Sequence, residues 1–410
     1  MMDNTTAVPK IRESNIELCR IISMFMIIAH HLVLHGGLIS VPEMFPNKWL
    51  GYIILPGGKV GFDAFIAISA WFLAGSDFRA ERFFKTYFQV IFYSVTTALA
   101  AILLGTSIPL LQFLGTFLPL TGSVQGYAAT YLAFYLLMPF LAILSRNIND
   151  RQHLFIIGVL TVFTIAAKIV GSATTTEQSC YSRVTLFVFF YFLLGYIKTH
   201  PVKSLENPFL MLFVFIVNWG VIVVCNCQNQ IWGENKPEFL NYTIPLISGE
   251  SGLLYIIGGL SLFFFFKSIK IKPNRVINLF ASTTLAVLLI HDGHFFRKTT
   301  WSLLKTSEWY YSRHFLIRAG ICVVGIYLFC SVIEFMRRKF IEKPFFRLGS
   351  IKKLCEKTDK AARSPVNESR IPQPQDTEKL EAQINELKKE LDRKDHALAE
   401  IAARYALKEE

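Results

Sequence analysis

The chain has 410 residues, of which 52% are hydrophobic and 14% aromatic, with 37 Phe. That composition excludes an ordinary soluble globule and points to an all-α polytopic membrane protein. The formal net charge is +12, but residues 351–410 are charge-balanced, so the excess belongs to loops between apolar runs, where it faces anionic lipid rather than nucleic acid.

The first apolar run, Ile16–Leu34, carries Glu17, Arg20, His30 and His31. Ionisable groups within a membrane-length run are costly and mark functional candidates. At about 100° per residue, Arg20 and His31 fall within roughly 20° of each other on a helix. Glu17, Met24, Ile27 and His35 share their face, whereas His30 points about 100° away. At about 1.5 Å per residue, a helix entering near Ile16 puts Arg20 about 6 Å deep and His31 about 22 Å deep. A buried Arg suits a phosphate or carboxylate. A neutral His suits general-base work. One face thus offers an anion anchor near one membrane surface and a base near the other. Glu17 is grouped with His31 as a catalytic candidate, and its place three residues before Arg20 equally allows an ion pair.

The second run, 60–74, contains Asp63 and Ser69, which are candidate substrate-site residues. Before the third run, 83–104, come Arg79 and Arg82, with Lys85 beyond. Cations at this spacing can hold phosphates, and they also fit plain loop charge. Residues 109–114, bounded by Pro109, Gly115 and Pro119, could form a re-entrant piece. Further apolar runs follow at 127–144, 154–170, 184–197, 209–224, 253–266, 276–290 and 314–335, which predicts about ten transmembrane helices in all. His291 ends the ninth run, as a third candidate for the substrate site. His31 with His35, and His291 with His294, have metal-compatible spacing. No carboxylate or Cys partner stands at matching spacing, so no metal is expected. The seven cysteines have no zinc spacing, and a disulfide of Cys180 with Cys225 or Cys227 is open. Glu17 and Arg20 interrupt the first run, so no cleavable signal peptide is expected.

Basic residues concentrate in alternate connections, with the 297–313 loop as the exception, carrying Arg297, Lys298, Lys305 and Arg313. This predicts both termini on the cytoplasmic side. The expected domains are a membrane part over 1–348, a polar linker over 349–377, and a cytoplasmic helix over 378–410. Within the last, Leu380, Ile384, Leu387, Leu391, Leu398, Ile401 and Tyr405 recur at spacings of three and four around Lys394. That pattern suits a short coiled coil and a homo-oligomer joined by it, or a solvated amphipathic helix.

Several ordered stretches resemble one family. Arg20, ten residues and His31 are similar to the R-X10-H signature of membrane acyltransferase family 3, the polysaccharide O-acyltransferases. Arg79-Ala-Glu-Arg82 resembles that family's R-x-x-R element. Gly61-Phe-Asp-Ala-Phe-Ile-Ala-Ile-Ser-Ala-Trp-Phe-Leu is similar to its G-x-x-x-F-x-x-I-S-G-Y-F-L trend, with Ala70 in place of Gly and Asp63 as an extra acid. Tyr127 to Leu141, Leu289-Ile290-His291 and Ile341-Glu342-Lys343-Pro344 also match, so the likeness runs over about residues 10–348.

The resemblance implies a ten-helix membrane enzyme that moves an acyl group, usually acetyl, from cytoplasmic acyl-CoA to a sugar hydroxyl of a cell-surface glycan or its lipid-linked precursor, in the plasma membrane. His31 would be the base, and Arg20, Arg79, Arg82 and Lys85 would meet the acyl-CoA phosphates. Some members add an esterase-like domain after the last span; here a short polar tail follows, and transfer is expected to finish within the membrane part. A transporter using the same buried charges is the alternative, and a membrane scaffold recruiting partners through the coiled coil is a third reading.

Overall fold

A computed structural model describes residues 13–121, 126–167, 169, 183–232, 244–247, 249–362 and 384–395, and these contain helices and no strand. In chain order the helices are α1 (Ser14–Leu34), α2 (Pro46–Ile54), α3 (Gly57–Leu73), α4 (Ala80–Leu103), α5 (Leu110–Gly115), α6 (Gly126–Asn147), α7 (Asp150–Thr161), α8 (Arg183–Thr199), α9 (Pro208–Trp232), α10 (Leu253–Ser268), α11 (Arg275–Ala281), α12 (Thr284–His291), α13 (Arg297–Leu303), α14 (Phe315–Arg337) and α15 (Gly349–Ala362). Among the described residues, six helical stretches are long and apolar enough to cross a membrane: Ser14–Leu34, Pro46–Leu73, Ala80–Leu103, Gly126–Asn147, Pro208–Gln228 and Phe315–Phe345. Leu253–Ser268 and Arg275–His291 are shorter apolar helices. The chain is therefore an all-helical multi-pass membrane protein. Large apolar side chains on α9 (Phe209, Phe213, Ile216) and α14 (Ile317, Ile321, Phe329) are well over half exposed. Such stripes would be untenable in water and fit a lipid-facing surface.

Glycines bring the central helices together. A Cβ on Gly61 would sit 2.7 Å from the Ser23 carbonyl oxygen, and one on Gly57 would sit 2.9 Å from that of Met26. On α10, a Cβ at Gly259 would sit 2.5 Å from the Asp63 Cβ and 2.9 Å from the Ala64 nitrogen. No side chain fits at such distances, so α1, α3 and α10 pack backbone to backbone. Where hydrocarbon offers no hydrophobic drive, this close packing is the main source of helix association.

Contacts sort the bundle into two ends. At one end Ser14 donates to Asn278, and Asn15 donates to the carbonyls of Lys267 and Ile269. Lys198 donates to the carbonyls of Trp71 and Ala74, satisfying the last turn of α3. At the other end Trp219 donates to the Ile53 carbonyl, and the hydroxyls of Thr306 and Tyr310 both donate to the Gly36 carbonyl. Also at the first end, fully buried Glu334 on α14 accepts from Gln89 (3.1 Å) and Tyr93 (2.7 Å) on α4, and from Arg337 and Arg338. Arg337 also reaches Glu342 at 2.5 Å, which gives the Ile341-Glu342-Lys343-Pro344 stretch a structural task.

Two readings change in detail. The expected re-entrant piece is the short α5 plus a helical turn at Pro119–Thr121, with Leu110 and Leu111 strongly exposed. The expected linker over 349–377 begins as a helix instead. α15 spaces Ile351, Leu354 and Cys355 along one side, and its Asp359 accepts from the Ala80 nitrogen at 2.7 Å. The chain divides into one compact unit up to Lys360 and a second from Ala361. In the second, residues 384–395 are helical, and the rest of the heptad pattern lies outside the described residues. Cys180 also lies outside them, while Cys225 and Cys227 are free thiols.

Candidate active site

The two ends of α1 carry two separate groups of residues. At its far end stands His31. Its Nδ1 lies 3.0 Å from Nε2 of His291, the last residue of α12, and the His291 Nδ1 lies 2.6 Å from the Val287 carbonyl oxygen. That oxygen can only accept, so His291 carries its proton on Nδ1. Its Nε2 is then bare and accepts from the His31 Nδ1–H. The chain of bonds leaves the His31 Nε2 with a lone pair and no proton, the form a general base needs. His291 is almost fully buried, whereas the His31 side chain keeps 12% of its surface exposed.

Asp292 follows His291 and turns back toward His31, with Oδ1 3.6 Å from its Nδ1. Arg297, at the start of α13, holds this carboxylate, with Nε 2.5 Å from Oδ1 and a terminal nitrogen donating to Oδ2 at 3.1 Å. His35, one turn beyond His31, has its ring centroid 5.0 Å from that of His31. The carboxylate that sequence spacing did not supply to the histidines is therefore Asp292, brought in from about 260 residues away. His30 is elsewhere. Its Nδ1 bonds the Leu55 carbonyl at 2.6 Å, and its ring lies where a Cβ on Gly58 would clash. His294 is exposed.

The near end of α1 holds the cations. Arg20 Nε is 3.4 Å from Glu17 Oε2. Glu17 stands fourteen positions before His31, about 21 Å along the helix, so the structure brings it to Arg20 and not to the base. Arg20 also lies close enough to Tyr127 and Tyr131 on α6 for its charge to act on their hydroxyls. Tyr127, Tyr131 and Tyr135 follow each other at four-residue steps, one side of a helix. Ser69 on α3 lies near the Tyr127 hydroxyl. The charge of Arg82 acts on the Tyr131 and Tyr135 hydroxyls, and the latter accepts from the Arg79 backbone N–H at 3.3 Å. Arg20 and Arg82 thus lie along one tyrosine ladder, and exposed Arg79 touches it through its backbone. Lys85 does not join them; it pairs with Glu81 at 2.6 Å and lies over the Phe346 ring.

Asp63 is fully buried, and neither carboxylate oxygen has a hydrogen-bond partner. One turn earlier, Lys59 Nζ is 3.0 Å from Glu250 Oε1, which also takes Arg183 at 2.9 Å. Burial pushes the Glu250 carboxyl up, but Lys59 and Arg183 outweigh it and bring it down to about 2. This cluster shares the far end of the bundle with His31. A cavity of about 160 Å³ lies between Trp71, Lys198, Glu206, Phe264 and Lys267, at the opposite end from His31.

Comparison with known proteins gives one match. The acyltransferase domain of acyltransferase family 3 fits residues 13–346. No curated protein and no solved structure matches the chain. That one match runs from the start of α1 to just past α14, so it takes in both groups on α1 and the His291 that meets His31. The chain belongs to membrane acyltransferase family 3 and is a membrane acyltransferase.

Proposed function

We propose that the protein is an O-acyltransferase, in the first instance an O-acetyltransferase, moving the acyl group of cytoplasmic acyl-CoA to a hydroxyl of a cell-surface polysaccharide or its lipid-linked precursor. In this reading ten helices cross the plasma membrane, and both termini lie on the cytoplasmic side with the arginines. The observation that carries it is the division of α1, with Arg20 beside a tyrosine ladder at one end and a base-form His31 about 16 Å away on the same face. Arg20, Arg79 and Arg82 meet the donor phosphates, and Lys85, held by Glu81, assists only when released. The thioester arm enters beside Met24 and Ile27, both buried, so donor binding displaces side chains there.

At the far end the acceptor hydroxyl gives its proton to the His31 Nε2 while its oxygen attacks the thioester carbonyl. The tetrahedral intermediate expels the thiolate, which takes the proton back from His31. Ester and free CoA result, and His31 returns to its starting form. His291 accepts from the His31 Nδ1–H throughout and supports the charge His31 carries in mid-reaction. An acyl-histidine formed at Nε2 is the other route the same geometry allows.

A transport reading has one observation of its own, the buried and unpartnered Asp63, since such groups serve proton relays. Mass spectrometry of surface glycans separates the two. With the wild-type gene the glycan gains acyl groups, and with His31→Ala it does not, at equal protein in the membrane. Normal acylation in His31→Ala overturns the assignment.

A further inference from the structure

Three side chains at the far end of α1 have a coordination chemistry that acyl transfer leaves unused. His31 and His35 stand one turn apart, and Asp292 faces them from the end of α12. One potential ligand atom on each lies within 4.8 Å of the other two. All three are half-buried, so the place is shielded from bulk water and still open to a small ion. Two imidazoles and a carboxylate with a free fourth position form the donor set of an open zinc site. Magnesium and calcium prefer all-oxygen shells. Ligand bonds near 2.0–2.1 Å put ligand atoms about 3.3 Å apart around tetrahedral zinc, so the three side chains close by roughly an ångström on binding.

We propose that His31, His35 and Asp292 bind Zn²⁺ and that the bound ion switches acyl transfer off. The switch rests on His31 being the base. Either nitrogen of His31 serves as ligand, and either choice disables it. Coordination through Nε2 takes the lone pair that must receive the acceptor's proton. Coordination through Nδ1 removes the hydrogen bond to His291 that fixes the tautomer. Arg297 shapes the affinity. It holds Asp292 in place, and its positive charge opposes a second cation nearby, so occupancy is reversible rather than structural.

The test uses the purified full-length protein in detergent with ZnCl₂ as the probe. Bound zinc is counted after equilibrium dialysis, and release of free CoA from acetyl-CoA is measured on the same samples with membranes and surface glycan from cells lacking the gene added to supply the acceptor hydroxyl. The expected result is a zinc ion in the wild type that His35→Ala lacks, whatever the cysteines add to both. Saturating zinc should slow the wild type at least tenfold and leave His35→Ala, active without metal, unchanged. His35→Gln repeats the comparison in case the smaller side chain disturbs α1. Equal zinc in wild type and both variants overturns the site. Zinc lost from the variants with no inhibition of the wild type overturns the switch. If the wild type releases no CoA at all, the base reading fails, and the zinc count still decides the site.

Discussion

At the scale of single residues, His291 is where the proposed chemistry is most exposed to experiment. It accepts from His31 through Nε2 while donating through Nδ1 to Val287. Ala at this position leaves the His31 Nδ1–H without its acceptor, so the base loses its fixed tautomer. Loss of an orienting partner of this kind costs a catalytic His on the order of 10²–10⁴ in rate. His291→Ala should lower the proposed transfer by about that factor, while His291→Gln, whose amide oxygen can stand near the place of Nε2, should recover part of it. A purely structural role would make the two variants differ in folded protein and not in rate per folded molecule, which a kcat measured against properly assembled protein reads directly. Arg20 and His31 were visible in the sequence because both lie on one helix, where periodicity alone sets their relative angle. Asp292 and the His31–His291 contact were not. They depend on how α12 docks against α1, and no local pattern encodes a meeting of residues 260 positions apart.

At the scale of elements, glycine decides how the central helices meet. The Gly259 position on α10 presses on the Asp63 Cβ and the Ala64 backbone of α3. Backbone cannot rotate away as a flexible side-chain end can. Gly259→Ala should therefore separate α10 from α3 and destabilise the fold by about 1–3 kcal/mol, the usual range for an overpacked core. At Gly220, on α9, an added Cβ would meet nothing within 4 Å, and Gly220→Ala should be neutral or slightly stabilising, since Ala is the better helix former. Thermal unfolding of the two variants in the same detergent checks this, and equal midpoints would mean that α3 and α10 do not make this close approach. The sequence shows Gly258-Gly259 but not what they face, because a glycine in an apolar run reads equally as lipid-facing or buried. The same limit applies to α15. Its polar composition reads as linker, yet Ile351, Leu354 and Cys355 at spacings of three and one put a short apolar strip on one side, and Asp359 ties the helix to the start of α4.

At the scale of the whole molecule, the one loop that departs from the alternating pattern of basic connections has a local cause. The 297–313 loop is basic yet lies at the His31 end of the bundle. There Arg297 serves Asp292, and Lys305 lies 3.7 Å from Glu308, so part of its charge answers to neighbouring acids rather than to lipid. The count of spans was less legible, because runs such as 253–266 and 276–290 form helices too short to be recognised by length alone. The second unit carries the remaining question, whether the protein acts as one chain or several. Over 384–395 the helix exposes Leu387 by 65% and Leu391 by 60%, one turn apart on one side. Two apolar residues held in water on a helix face are what a coiled-coil partner would cover. The double variant Leu387→Asp and Leu391→Asp places like charges at that seam. In the oligomer reading, light scattering of the detergent-solubilised protein should fall from the mass of a multimer to that of a single chain plus micelle. Acyl transfer should continue, because every residue assigned to it lies before 346. An unchanged mass would leave the tail as a solvated helix. A loss of transfer without loss of folded protein would instead mean that assembly through the tail is needed for the active membrane part.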